Sequence, residues 1–492
     1  MQQAKTNIVN SFIWSAIQRF GSRILLFIAN IVLARLLSPA DFGCVGIIMV
    51  FISFSDIFIN GGFASALIQK KDTTQTDYSS VFFVNMSVSL LCYAVLFFWA
   101  PSIAEFYHIP ILCEVLRAQG IVLIFNAFNV VQTNMLQKRL NFKRLAIAEN
   151  VSCVLGCGVG IFSAYMGMEV WSLVIKNLVM YFSYSLILWL WDSWRPSFAF
   201  SFKSVSELFQ FGGFILLSNL TDAIYNNLQP LIIGRVFSDR DLGHFTQARK
   251  LEELPVIGLS NVVSSVSFPL YSKLQDDKQG LLTMLQRNIK AITYLNFPLM
   301  VLLAIVAEPL MVLLFGEKWL PAVPYFQILC VAGLLTSINI SNRDLFAALG
   351  RSRVYFYSQL VYKIVGIALI VGGMHWGIEG LIWGRVVAYY FLFVLNAAIA
   401  NRLIGYGLWL QLRDVLPNLL LSLLSSVPTY LIALRVQHLG AFGQTLCIGS
   451  TYAVLYLLLS VLSRNASFIL FWRLGMNYAG RFLPRLNKGK ND

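Results

Sequence analysis

Charge is what this sequence has least of: Asp, Glu, Lys and Arg make up 12% of its 492 residues, against 58% hydrophobic residues. Soluble globular chains carry roughly twice that share of charge, so a string of water-soluble domains is excluded. Histidine is scarce too. The four present, His108, His244, His375 and His438, fall in or beside four different connections and read as scattered surface residues. The seven cysteines are dispersed through apolar stretches. Cys153 and Cys157 lie four apart on one helix face but lack the second pair that a structural zinc site needs, so they read as small packing residues. There is no glycine-rich phosphate loop, no paired metal-binding carboxylates, and no nucleophile beside a base. No connection between spans exceeds about nineteen residues, too short for a catalytic domain of its own. These absences argue against an enzyme. The chain opens MQQAKTNIVN and passes into a span interrupted by Arg19 and Arg23, with no small-residue cleavage site, so the first helix is expected to direct its own insertion.

What the chain does have is apolar runs that repeatedly reach the roughly 20 residues a bilayer demands, with a mean hydropathy of +0.70. Turn and charge signals divide them into about fourteen spans, at 10–34, 43–66, 80–100, 114–136, 147–167, 171–192, 209–235, 241–270, 290–314, 322–348, 355–375, 380–401, 414–434 and 443–463. The fold class is therefore an all-α polytopic membrane protein. Basic residues test the map, because Lys and Arg stay on the cytoplasmic side. Lys70, Lys138, Arg139, Lys143, Arg195, Lys273, Arg351, Arg402, Arg413 and the tail from Arg464 fall on one side. Only Arg35, Arg235, Arg240, Lys318 and Arg435 fall on the other. Both termini are thus expected in the cytoplasm. The net charge of +14 faces anionic lipid there and calls for no nucleic acid.

A decapeptide recurs. ARLLSPADFG (34–43) returns as GRVFSDRDLG (234–243), with Arg35, Ser38, Asp41 and Gly43 matched by Arg235, Ser238, Asp241 and Gly243. Each copy lies between two apolar spans, so the first and seventh spans correspond, and a duplicated bundle is a transporter pattern. The expected organisation is a first lobe at 1–205, a second at 206–402, two further helices at 403–463, and a basic amphipathic tail at 464–492.

Polar side chains inside the spans then carry the chemistry, since an Arg at depth costs about 2.5 to 3.5 kcal/mol unless it meets water or a partner. In the first span Ser15, Arg19, Arg23 and Asn30 fall within roughly 80° on a helix. That stripe suits an anionic ligand, although snorkelling of the arginines to the interface explains part of it. In the second, Asp56 and Asn60 precede Gly61 and Gly62, and Asp56 either balances the arginines or takes part in transport. The seventh span sets Ser218, Asp222, Tyr225, Asn226 and Gln229 on one face, acidic where the first is basic. The eighth holds Arg249, Glu252 and Glu253 near Pro255, with Arg249 and Glu253 spaced to pair. Arg343 sits beside Asp344 in the tenth. Glu149 is expected to meet its basic neighbours at the interface. The substrate-facing candidates are Arg19, Arg23, Asn30, Asp56, Asn60 and Arg249; Asp222, Glu253 and Asp344 are candidates for coupling to H+ or Na+. No other cofactor and no metal is expected.

Four stretches in order, ARLLSPADFG, LQKRLNFKRLA (136–146), FPLYSKLQDD (268–277) and LLFGEKW (313–319), resemble bacterial polysaccharide flippases of the multidrug, oligosaccharidyl-lipid and polysaccharide exporter superfamily, on the branch that includes the colanic acid exporter. The resemblance runs end to end. It implies two pseudo-symmetric six-helix lobes about a central cavity, plus two C-terminal helices. It further implies a substrate carried on undecaprenyl pyrophosphate, an oligosaccharide repeat unit moved from the cytoplasmic to the periplasmic leaflet of the inner membrane. Membrane lipids would be partners, and the chain would work beside a polysaccharide polymerase and glycosyltransferases. Related lipid II flippases place first-helix arginines in the cavity, matching Arg19 and Arg23 by position; Arg249 matches their eighth-helix cation only loosely. No sodium-site motif transfers. Two alternatives stay open: a cation-coupled drug antiporter of the same superfamily, which Arg19 and Arg23 oppose, and a polytopic glycosyltransferase or polymerase.

Overall fold

The computed structural model describes residues 14–15, 17–70 and 72–469. Every regular element among them is helical, and the chain is a multi-pass membrane protein. By length and composition, eleven stretches of the described residues are apolar enough to cross a bilayer. One of these, 353–404, is two helices joined by a turn at Met374–Trp376. Each of the fourteen expected spans overlies a helix. The first and seventh fall short of the apolarity or length of a span. The first helix is described as regular α only from Ser22, and the seventh carries its row of Asn, Gln and Asp residues. Most of the expected amphipathic tail, from residue 470, lies outside the described residues.

Cα packing divides the chain into two compact units, Met1–Thr246 and Gln247–Asp492. In the first, a π-helical turn (Ile17–Gly21) leads into α1 (Ser22–Leu36). Then come α2 (Pro39–Asn60), the short α3 (Phe63–Gln69), α4 (Gln75–Tyr107), α5 (Ile111–Lys138), α6 (Phe142–Tyr165), α7 (Val170–Trp191), α8 (Phe202–Val236) and the start of α9 (Asp239–Lys273). α4 pairs with α5 and α6 with α7, while α1 leans on α6 and α8 lies along α2. An aromatic cluster of Phe82, Phe128, Trp189 and Trp194 fills the space where α4, α5 and α7 meet. Three of these four ring pairs sit edge to face, the arrangement their quadrupoles favour, and Phe82 with Trp189 is tilted.

The repeated decapeptide has a plain structural meaning. In its first copy the Ser38 hydroxyl accepts from the Asp41 amide (3.3 Å) and the Asp41 carboxylate accepts from the Ser38 amide (2.8 Å), a capping box with Pro39 at the first helical position. In the second, the Asp241 amide donates to Ser238 Oγ (3.0 Å), which in turn bonds the Asp241 carboxylate (2.7 Å). Serine and aspartate at these places satisfy amides that a helix start leaves unpaired, and Pro39 in the first copy lacks one to satisfy, so each copy starts a helix, α2 or α9, just past a tight corner.

The second unit holds the rest of α9, α10 (Lys278–Ile305), α11 (Ala307–Phe315), α12 (Val323–Ala348), α13 (Ser352–Gly373), α14 (Gly377–Ile404), α15 (Leu408–Arg435) and α16 (Ala441–Leu462). A core of Tyr271, Leu285, Ile289, Phe297, Phe346 and Phe393 is threaded with polar contacts. Asn288 donates to the Tyr271 hydroxyl (2.7 Å), Asn396 to Asn339 (3.1 Å), and Asn342 and Gln411 exchange hydrogen bonds at 3.1 and 3.3 Å. In lipid, helices gain little by hiding apolar surface from one another, and buried amides and small residues join them instead. α15 follows that rule along its length: Gln411, Asn418, Ser422, Ser425 and Thr429 are its buried face, while Leu420, Leu424, Val427 and Leu431 point outward.

Candidate functional site

The polar stripe of the first helix begins in the π turn, which holds Gln18 and Arg19; the Arg19 side chain lies outside what the structure describes. Arg23, in the first turn of α1, is exposed, and Asn30, seven residues on and so on the same face, is half-buried. Beside them Ser22 turns into the protein. Its hydroxyl donates to Glu149 on α6 at 2.8 Å, and the Gln18 amide donates to the other oxygen of that carboxylate at 2.8 Å. Glu149 was expected to meet basic residues at the interface; its partners are these two neutral donors. The reason is rotation. α6 sets Glu149 one turn from Cys153, whose Sγ approaches the Ser22 carbonyl (3.8 Å), so both face α1. Cys153 and Cys157 are free thiols, their sulfurs 3.9 Å apart, packed against Leu25, Leu26 and Ala29.

Asp56 on α2 receives a hydrogen bond from the Asn126 amide of α5 at 2.7 Å. Of the two expectations for this residue, balance for the arginines or a part in transport, the contact seen is with a neutral amide. Tyr181 on α7 lies within electrostatic reach of both Asp56 and Glu149. The first unit thus gathers two carboxylates, a tyrosine and several amides among α1, α2, α5, α6 and α7. Asn60 does not join them: it bonds back to the Asp56 carbonyl (2.9 Å) and finishes its own helix ahead of Gly61, which takes the left-handed cap. On α8 the expected single face divides. Asp222 and Asn226 are exposed and Tyr225 and Gln229 are buried, while Asn227 reaches Ser53 of α2 at 3.2 Å.

In the second unit Arg249 Nε and Glu253 Oε1 pair at 2.6 Å, four residues apart as their spacing suggests. Next to them Glu252 is buried and interacts electrostatically with Arg385 of α14, itself buried. Glu252 Oε1 presses on Gly333 of α12, 2.9 Å from where a Cβ would stand. Arg385 was not anticipated, because nothing in its own helix marks it apart from the charge; only the packing of α14 brings it to α9. It stacks on Tyr389, 5.6 Å from the ring centroid. Asp344 is held apart from this group, bonded by Ser264 of α9 and paired with its neighbour Arg343 at 3.2 Å.

An all-helical, multi-pass bundle with carboxylates and cations held inside it and only short connections defines the class, a polytopic membrane transporter. Residues 32–324 match the family described as polysaccharide biosynthesis protein, and the chain belongs to that family. It is 27% identical over 396 residues to the teichuronic acid biosynthesis protein TuaB of Bacillus subtilis, covering 78% of this chain and 80% of that one. It is 24% identical over 424 residues to the lipopolysaccharide biosynthesis protein WzxC of Escherichia coli, with 83% and 85% covered. To the succinoglycan biosynthesis transport protein ExoT of Rhizobium meliloti it is 26% identical over 439 residues, with 87% and 86% covered. Among solved structures its fold is that of a lipid II flippase, MurJ, in an inward closed conformation, at a TM-score of 0.75 and 16% identity over 92% of this chain and 99% of that one. A multidrug transporter of the MATE family in an inward-facing conformation shares the fold at a TM-score of 0.62 and 18% identity, over 78% and 95%. The chain thus shares the fold of these two transporters.

Proposed function

We propose that this protein is a flippase that moves an oligosaccharide repeat unit linked to undecaprenyl pyrophosphate from the cytoplasmic to the periplasmic leaflet of a bacterial inner membrane, with both of its own termini in the cytoplasm. The observation that carries this reading is the exposed Arg23 in the first turn of α1, within a family of polysaccharide biosynthesis proteins. A guanidinium kept at that depth is costly without a partner, and it pairs with phosphate oxygens through a fixed fork of donors. Arg19, Arg23 and Asn30 attract the pyrophosphate or acidic sugars; Asp56, Asn60 and Arg249 are further contacts as the head group passes. The lipid tail stays in the bilayer. Movement is by alternating access, with the repeats 1–205 and 206–402 as the moving bodies, and Asp222, Glu253 and Asp344 are the carboxylates proposed for coupling to H+ or Na+. The polymerase and glycosyltransferases of the same polymer are the expected neighbours.

Replacing Arg19 and Arg23 together by Ala abolishes export of the lipid-linked sugar while the protein stays in the membrane; export at the parental rate would sink the proposal. Lys at both positions restores only part of the rate, because a point charge cannot reproduce bidentate pairing. Leaflet transfer in vesicles without any new glycosidic bond separates this reading from a polymerase, and absence of resistance to cationic dyes separates it from a drug antiporter. Asp222→Asn lowers transport only if that carboxylate couples it: transport indifferent both to this change and to collapse of the ion gradients removes the coupling role.

A further inference from the structure

We propose that α2 is gripped at both ends by glycine clasps, and that these clasps are the two gates of the transport cycle, both shut in this structure. At the first end, Gly43 and Gly243 occupy matching places in the two decapeptide copies, each about one turn past a serine helix cap. A Cβ added to Gly43 would run into the carbonyl oxygen of Asp239 and come within 3.1 Å of Asp239 Cα. A Cβ added to Gly243 would run into the carbonyl oxygen of Pro39 and stand 3.2 Å from Pro39 Cα. The contact is reciprocal: each copy offers a bare backbone to the start of the other's helix. At the other end of α2, Gly62, in the left-handed region at φ +73, meets the backbone of Gly212 on α8. A Cβ on Gly212 would lie 2.8 Å from the Gly62 carbonyl carbon.

Small residues that let two helices approach are ordinary within a bundle, and Gly156 and Gly160 play that part between the sequence neighbours α6 and α7. The clasps differ in two ways. They join segments from opposite halves of the duplication, and the outer one uses the same position in both halves, which a static crossing has no need to do. Between them α2 and α8 are joined by polar contact, Asn227 to Ser53, with Asp222 and Asn226 left exposed. At each clasp the nearest approach is backbone to backbone, with Ile47 and Leu242 packed beside the outer one and Phe63 beside Phe209 next to the inner one, a compact seam suited to closing and opening as a unit.

The sidedness of the basic connections puts Gly43 and Gly243 at the outer face and Gly62 and Gly212 at the cytoplasmic one. The inference rests on the alternating access proposed above, and its test needs no sugar. The seven native cysteines are replaced, Ser218→Cys is introduced on α8 between the clasps, and a membrane-impermeant maleimide is applied to intact cells and to inside-out vesicles. Gly43→Ala with Gly243→Ala keeps the outer clasp from shutting, so labelling from outside rises roughly tenfold and labelling from inside falls. Gly212→Ala does the opposite. Gly158→Ala and Gly449→Ala, where an added Cβ meets nothing within 4 Å, match the parent. Gly43→Ala alone is measured alongside, in case the double variant fails to insert. Parental labelling in the inserted Gly43 and Gly212 variants, or a shift of both in one direction, overturns the clasps. Such a result with sugar transport intact leaves the flippase reading standing; opposite shifts in a protein that moves no lipid-linked sugar keep the clasps and remove the substrate.

Discussion

Glu149 illustrates how this bundle tolerates a carboxylate in its interior. Two neutral donors, Gln18 and Ser22, each hold one of its oxygens at 2.8 Å, and the Ser22 hydroxyl also lies 2.8 Å from the carbonyl of Gln18, one turn back. A buried polar group that loses its partner costs about 1–3 kcal/mol. Glu149→Leu takes the acceptor from the Gln18 amide, leaves the Ser22 hydroxyl only the Gln18 carbonyl, and lowers the melting temperature of the purified protein in detergent. Glu149→Gln keeps one acceptor oxygen and lowers it less. The two variants melting together would mean that the carboxylate, and not its hydrogen bonds, is what α1 requires. The same logic applies to Glu252 and Arg385. Removing Arg385 takes from a buried acid the stronger of its two cationic neighbours, the other being Arg249, so Arg385→Met destabilises on its own and less when Glu252→Gln accompanies it, a coupling that a double-mutant cycle measures.

At the scale of elements, the corners were readable in advance and the long-range partners were not. Ser38 with Asp41, and Ser238 with Asp241, are local devices; their spacing contains the whole interaction, and both copies start helices as the repeat implies. The pair Arg249 and Glu253 is local in the same way. Glu149 with Ser22, Asp56 with Asn126, and Glu252 with Arg385 lie 127, 70 and 133 positions apart in sequence. They depend on how each helix is turned about its axis, and apolar residues are spread almost evenly round α5, α6 and α14, so their periodicity does little to mark that rotation. α15 is the exception, because its row of Ser, Thr and Asn residues is its packed face. Enlarging that row, with Ser422→Leu or Ser425→Leu, wedges α15 from its neighbours and costs about 1–3 kcal/mol, whereas Leu424→Ala on the outward face changes the melting temperature little. A larger effect from Leu424 would mean that its exposed side is covered in the working protein.

For the whole molecule the decisive quantity is the parity of the membrane crossings. Eleven stretches meet the criterion of length and apolarity among the described residues, and an odd number would put the two ends on opposite faces. Dividing 353–404 at its turn and counting the first and seventh helices gives fourteen, an even number that returns the chain to its starting side. The expected sidedness of the basic residues agrees with the even count, and several of them also do structural work. Lys70 pairs with Asp77 at 3.0 Å, Lys290 with Asp414 at 2.9 Å, and Lys138 donates to the Thr73 hydroxyl at 3.0 Å, so three connections are fastened by cations. The seventh helix is long but not among those eleven, and the proposed role of its exposed Asp222 requires that it cross. Single cysteines test the crossings of α13, α14 and α15. His438→Cys, beyond α15, reacts with an impermeant maleimide in intact cells, while Arg351→Cys, between α12 and α13, reacts only after the cytoplasmic face is opened. Reaction of both from the same side would mean that one of the helices between them fails to cross, and the duplicated architecture would have to be redrawn around that helix.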